Sequence, residues 1–92
     1  MSIRIKIPTP LRKFTANKDV VEVEGSNVGE ALRALDAAHP GMWAKICDDN
    51  GKVRRFINVY AGDDDIRFLE GMATPVDAKT EISIIPAIAG GC

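Results

Sequence analysis

Asn27-Val28-Gly29-Glu30-Ala31-Leu32-Arg33-Ala34-Leu35-Asp36-Ala37-Ala38 brings apolar residues back at helical spacing. Val28, Ala31, Leu32, Leu35 and Ala38 share one stripe, while Glu30, Arg33 and Asp36 lie away from it, so this segment should rest across a sheet. Asn27 as N-cap with Glu30 three residues on reads as a capping box, which places the start of the helix near Val28. His39-Pro40-Gly41 ends it.

Working outward, both flanks supply strands. Before the helix, Ile3, Ile5 and Ile7 alternate with Arg4 and Lys6 until Pro8 and Pro10 intervene, the pattern of a half-buried strand. Val21 and Val23 then alternate with the outward Glu22 and Glu24, so residues 1–24 form a predicted hairpin with a loop around Leu11 to Thr15. After the helix, Met42 to Cys47 reads as a short helical turn, and Asp48-Asp49-Asn50-Gly51 as a turn with glycine ready for positive φ. Phe56, Asn58 and Tyr60 alternate with Ile57, Val59 and Ala61 in a strand ending at Gly62, and Ile66-Arg67-Phe68 suggests a further brief strand. The last strand is Glu81 to Ile85, with Ile82 and Ile84 on one face and Ser83 and Ile85 on the other. An isoleucine on the outer face implies that this strand is central or that its exit is covered. The intervening helix is the crossover that lets the first and last strands pair in parallel. The expected class is α+β: a mixed sheet gripping one main helix, the β-grasp arrangement, with a projecting C-terminal tail.

Ninety-two residues suit one domain, assigned to 1–86, with 87–92 as the flexible tail. Twelve Lys and Arg against thirteen Asp and Glu give a net charge of −1, which is not the footprint of a nucleic-acid binder. No stretch is long and apolar enough for a signal peptide or a membrane span. Cys47 and Cys92 form no CxxC pair and no secreted disulfide framework, so a cytoplasmic location is expected. Cys47 should be a buried small hydrophobe and Cys92 exposed and reactive. His39, with no ligand spacing around it, reads as a helix-end residue. Asp63-Asp64-Asp65 lacks the alternating ligands of a calcium loop and reads as a solvated turn. Neither a catalytic group nor a metal site is expected. Lys52, Arg54 and Arg55 beside a turn are either a solvated rim or a docking site for an acidic partner.

The end of the chain, Ile84-Ile85-Pro86-Ala87-Ile88-Ala89-Gly90-Gly91-Cys92, is the part that speaks to function. So slim a thread loses much entropy when fixed and has little side chain to pack in return. It can, however, enter a narrow cleft and present a carboxylate there.

Ordered along this fold, several segments together resemble the ubiquitin-like sulfur-carrier proteins, which include the small subunit of molybdopterin synthase, the thiamine sulfur carrier and the carrier for cysteine synthesis. They are Ile7-Pro8 with Leu11-Arg12, Asn27 to Leu32, Arg55 to Tyr60, Asp65 to Phe68, and the final strand with its Gly90-Gly91 tail. The middle segment is most similar to the cysteine-synthesis branch. The resemblance implies a protein co-substrate and not an enzyme. Gly91 would be the sulfur attachment point, with Gly90 keeping the approach narrow. An E1-like adenylating enzyme would activate the Gly91 carboxylate with ATP, and sulfur would replace AMP to give a thiocarboxylate. The acceptor would be a PLP-dependent cysteine or homocysteine synthase, in cysteine, homocysteine or methionine biosynthesis. Cys92 departs from the family pattern, because it holds Gly91 in an amide that cannot be adenylated. It reads as an extra residue removed by a zinc-dependent JAMM-type metallopeptidase, or else as a functional terminal thiol. Lys79-Thr80 also stands where many relatives have a Gly-Asp turn. A molybdopterin-synthase subunit, a ubiquitin-like modifier and a non-covalent interaction domain are the alternatives.

Overall fold

The computed structural model describes residues 2–86; Gly90, Gly91 and Cys92, the residues of the expected attachment and processing site, lie outside them. Strand β1 (Ser2–Lys6) pairs antiparallel with β2 (Val20–Glu24), with Ile3 opposite Val23 and Ile5 opposite Val21. Helix α1 (Val28–Ala38) and the short α2 (Met42–Ile46) follow, then β3 (Ile57–Ala61), β4 (Asp64–Asp65) and β5 (Ile82–Pro86). The sheet order is β2-β1-β5-β3-β4, so the last strand is inserted between the first and the third. β5 runs parallel to β1 and antiparallel to β3. This is the expected β-grasp sheet with its main helix.

The core is the meeting of the two periodicities. Val28, Ala31, Leu32 and Leu35 of α1 are buried in one cluster with Ile3, Ile5, Val21, Val23, Val59, Ile82 and Ile84 of the sheet. Ala38 is the one member of the expected stripe that is exposed, because the helix ends there and its last turn passes beyond the sheet. The Asn27 Oδ1 cap accepts from the Glu30 amide at 2.8 Å, as expected. The return bond is displaced by one residue: Glu30 Oε1 accepts from the amide and the hydroxyl of Ser26, at 2.8 and 2.7 Å. Those bonds hold the Glu30 carboxyl below its ordinary range. The Asn27 carbonyl accepts from the Ala31 amide, and the Val28 amide donates to Thr74, so the helix start is tied to the chain that leads into β5.

Three expectations need correction. The hairpin loop is not open: Thr9–Phe14 is a 3-10 helical turn, with Leu11 buried and the buried Thr15 hydroxyl bonded to the Arg12 and Lys18 carbonyls. Ile66–Phe68 is also a 3-10 turn and not a strand, because Asp65 accepts from the Arg67 amide at 2.8 Å and caps it; the short strand is the pair before it. The last strand is Ile82–Pro86, one residue later than expected.

Pro86 is compatible with this strand for a register reason. The Gly62 amide donates to the Glu81 carbonyl, so every second pair along β3 and β5 is hydrogen-bonded, and Ile57 opposite Pro86 is a non-bonded pair. The N–H that proline lacks is therefore not one that β3 requires. No helix among the described residues is long and apolar enough to cross a membrane.

Candidate functional site

Pro86, the last described residue, pairs with Ile57 at the start of β3. Whatever surrounds this pair therefore borders the exit of the tail. On one side is the segment Arg54-Arg55-Phe56, which feeds β3; all three side chains are exposed, Phe56 by 64%. On the other is the end of β1, which runs parallel to β5 and continues into the turn carrying Arg12, Lys13 and Phe14. Helix α2 closes the arc. Arg54 donates from Nε to the Ala44 carbonyl at 2.9 Å, and the Lys45 ammonium sits 5.4 Å from the centre of the Phe14 ring.

Arg54, Arg55, Phe56 and Asp48 line a surface hollow of about 320 Å³. Asp48 is engaged by its own loop: its carboxylate accepts from the Asn50 and Lys52 amides, bonds that hold its carboxyl below the ordinary range. Gly51, at φ 79°, is the positive-φ turn residue anticipated in that loop. Arg54 is oriented by Ala44, while the Arg55 side chain has no hydrogen bond among the described residues.

Arg67 fixes this segment. Its guanidinium donates to the Asn58 side chain at 3.2 Å, to the Ile57 carbonyl at 2.9 Å and to the Arg54 carbonyl at 3.4 Å. The Ile57 carbonyl is one that the register turns away from β5, so Arg67 satisfies an acceptor the sheet leaves open there. Sequence reasoning did not single out Arg67 for this role, because its partners are nine to thirteen residues away and no local spacing marks them. Ile85 opposes Asn58 on the outer face and is 46% exposed. Its strand is central, as anticipated, but that face is not covered.

The remaining sequence candidates are structural. Cys47 is buried, and its thiol is pushed up to about 11, first by burial and then by the Asp48 charge. It is protonated at neutral pH and is no nucleophile. His39 is the C-cap of α1, its amide donating to Leu35 at 2.8 Å. Asp64 and Asp65 belong to β4, and no group of described residues is placed to hold a metal ion.

The sequence and the fold agree with known proteins. A model of the ThiS family matches residues 5–91. The sulfur carrier protein CysO of Mycobacterium tuberculosis is 36% identical over 99% of this chain and all of its own length. The small archaeal modifier protein 3 of Haloferax volcanii is 34% identical over the same shares. Among solved structures, a chain of the Amycolatopsis orientalis BexX/CysO complex superposes with a TM-score of 0.90 at 37% identity, covering 97% of this chain and 99% of that one. Agreement of the family model over residues 5–91 and of a relative over nearly the whole chain, on a β-grasp fold, leads to one conclusion: the chain belongs to the ThiS family of ubiquitin-like sulfur carriers, proteins that act as co-substrates and not as enzymes.

Proposed function

We propose that this carrier is loaded at Gly91 once Cys92 has been removed, and that it supplies sulfur for cysteine or homocysteine synthesis in the cytoplasm. The supporting observation is where the family match stops: it ends on Gly91 and leaves Cys92 outside. A zinc-dependent peptidase of the JAMM type would hydrolyse the Gly91–Cys92 amide and free the Gly91 carboxylate. A carboxylate is a poor electrophile, so an E1-like enzyme must first join it to AMP at the expense of ATP, releasing pyrophosphate. A hydrosulfide equivalent then attacks the acyl carbon, AMP leaves, and a thiocarboxylate results. Gly90 keeps this approach narrow.

Delivery follows from the nucleophilicity of that sulfur. Attack on the β-carbon of an aminoacrylate held by a PLP-dependent synthase forms a C–S bond and a thioester between Gly91 and the new cysteine. If the acyl group migrates from sulfur to nitrogen, the product is a glycyl-cysteine amide, the same bond that Gly91 and Cys92 form in the encoded chain. One peptidase specificity would then serve both maturation and product release. In this reading residues 1–86 are the body that partners hold, and the chemistry takes place at the end of 87–92.

Intact-mass measurement tests the proposal. Incubation with the peptidase should remove one cysteine residue, and ATP, the activating enzyme and sulfide should then add about 16 Da, oxygen exchanged for sulfur. Loading with Cys92 still attached would defeat the assignment of Gly91. The modifier alternative has its own support in the archaeal modifier relative; it predicts lysine-linked conjugates in place of the mass increment. A molybdopterin-synthase role would be marked by sulfur transfer to a pterin and none to an aminoacrylate.

A further inference from the structure

The net charge of −1 conceals an uneven distribution along the strands, although Asp19 and Asp48 lie near the basic end. At the end where β5 exits lie Arg12 and Lys13 after β1, Lys45 in α2, and Arg54 and Arg55 before β3. At the opposite end, Asp63 lies in the β3–β4 turn and Asp64 opens β4, Glu81 leads into β5, and Glu24 stands opposite Ser2 at the start of β1, with Glu22 opposite Arg4 midway along it. The five residues of β3 hold the two ends roughly 13 Å or more apart at ~3.3 Å per residue. That exceeds the ~8 Å screening length at physiological salt, so the acidic end does not neutralise the basic end at a partner's surface.

Within the basic arc, the hollow of about 320 Å³ is a receptor of definite chemistry. Its two guanidinium groups can each grip a carboxylate through paired N–H donors, and the exposed Phe56 ring offers an apolar wall for the methylene stem. Asp48, the one anion lining it, is held ionised by the Lys52 and Asn50 amides, so two guanidinium groups face a single fixed carboxylate there.

We infer that the tail-exit end is an electrostatic collar that docks on a protein surface whose cleft is rimmed by Asp and Glu, one of those carboxylates seating between Arg54 and Arg55 against Phe56. The basic charge gathered at this end draws it toward the acidic rim before contact, so the end from which the tail leaves arrives first at the cleft mouth. The inference rests on the carrier reading above and names the partner chemistry that reading requires.

The test is the initial rate of sulfur loading of the Cys92-trimmed full chain by the E1-like adenylating enzyme of the same organism, measured at low and high salt. The double variant R54E/R55E should lose at least ~10-fold in kcat/KM at low salt, with kcat within about twofold and the deficit shrinking as salt rises. Because Arg54 also bonds Ala44, R55E is the control free of folding effects, with a smaller loss of the same kind. At physiological salt, where ~8 Å screening isolates the two ends, the acidic-end variant D63K/D64K should stay within about twofold. Equal losses from both ends, a loss confined to kcat, or an effect of R55E that ignores salt would each overturn the collar. Tight binding of a single-stranded RNA, abolished by R54E/R55E, would overturn it in favour of a phosphate backbone as the occupant. If the wild-type chain failed to load under conditions where the enzyme was active, the carrier reading would fail; a wild type that loads beside an indifferent R55E removes the collar alone.

Discussion

The start of α1 and the exit of β5 are built on opposite terms. At the helix start, Asn27, Glu30 and Ser26 bond one another, Val28 is tied to Thr74, and Gly25 lies so close that a Cβ would come 2.9 Å from the Ala31 amide nitrogen. At the strand exit, Phe56 and Ile85 are exposed, Arg55 is without a hydrogen bond among the described residues, and one long-range guanidinium holds the backbone in place. The first region has its bonds directed inward and serves the fold; the second keeps its backbone fixed while Arg55, Phe56 and Ile85 project from it.

That contrast can be broken in order of effect. Leu32 is fully buried beneath the sheet, and Leu32→Ala should cost about 3 kcal/mol in urea unfolding; a cost below about 1 kcal/mol would mean that the core closes over the gap and that the helix is less tightly held than its contacts suggest. Asn27→Ala should cost about 1 kcal/mol through the lost cap, and an unchanged midpoint would place the stability of the helix start in its link to Thr74 and not in its own side chains. At the exit, Phe56→Ser and truncation after Pro86 should each leave stability within about 0.5 kcal/mol, the first while raising the KM for loading. A large loss of stability from either would show that the exit region belongs to the packed body after all.

Much of the body was legible because its signals are local. The alternation Ile3, Ile5, Ile7 and the stripe Val28, Ala31, Leu32, Leu35 identify faces that proved buried, and Asn27 marked the first helical residue. Three-residue alternation was too short to separate a strand from a 3-10 turn at Ile66–Phe68, where the Asp65 cap decided the outcome. The exit was legible only in part. Arg54 and Arg55 stood out as charges beside a turn, whereas Arg67 and the pairing of Ile57 with Pro86 join residues far apart in sequence.

The sequence by itself determined the elements, the family and the glycine tail, since periodicity, capping and motif order are written within a few residues of one another. Only the tertiary structure decided that the basic residues of three separate segments gather at the end where β5 leaves the sheet. The physical reason is the parallel pairing of β1 with β5: it puts the turn after β1, the end of α2 and the approach to β3 at one pole of the molecule, and sends the β3–β4 turn with Asp63 to the other.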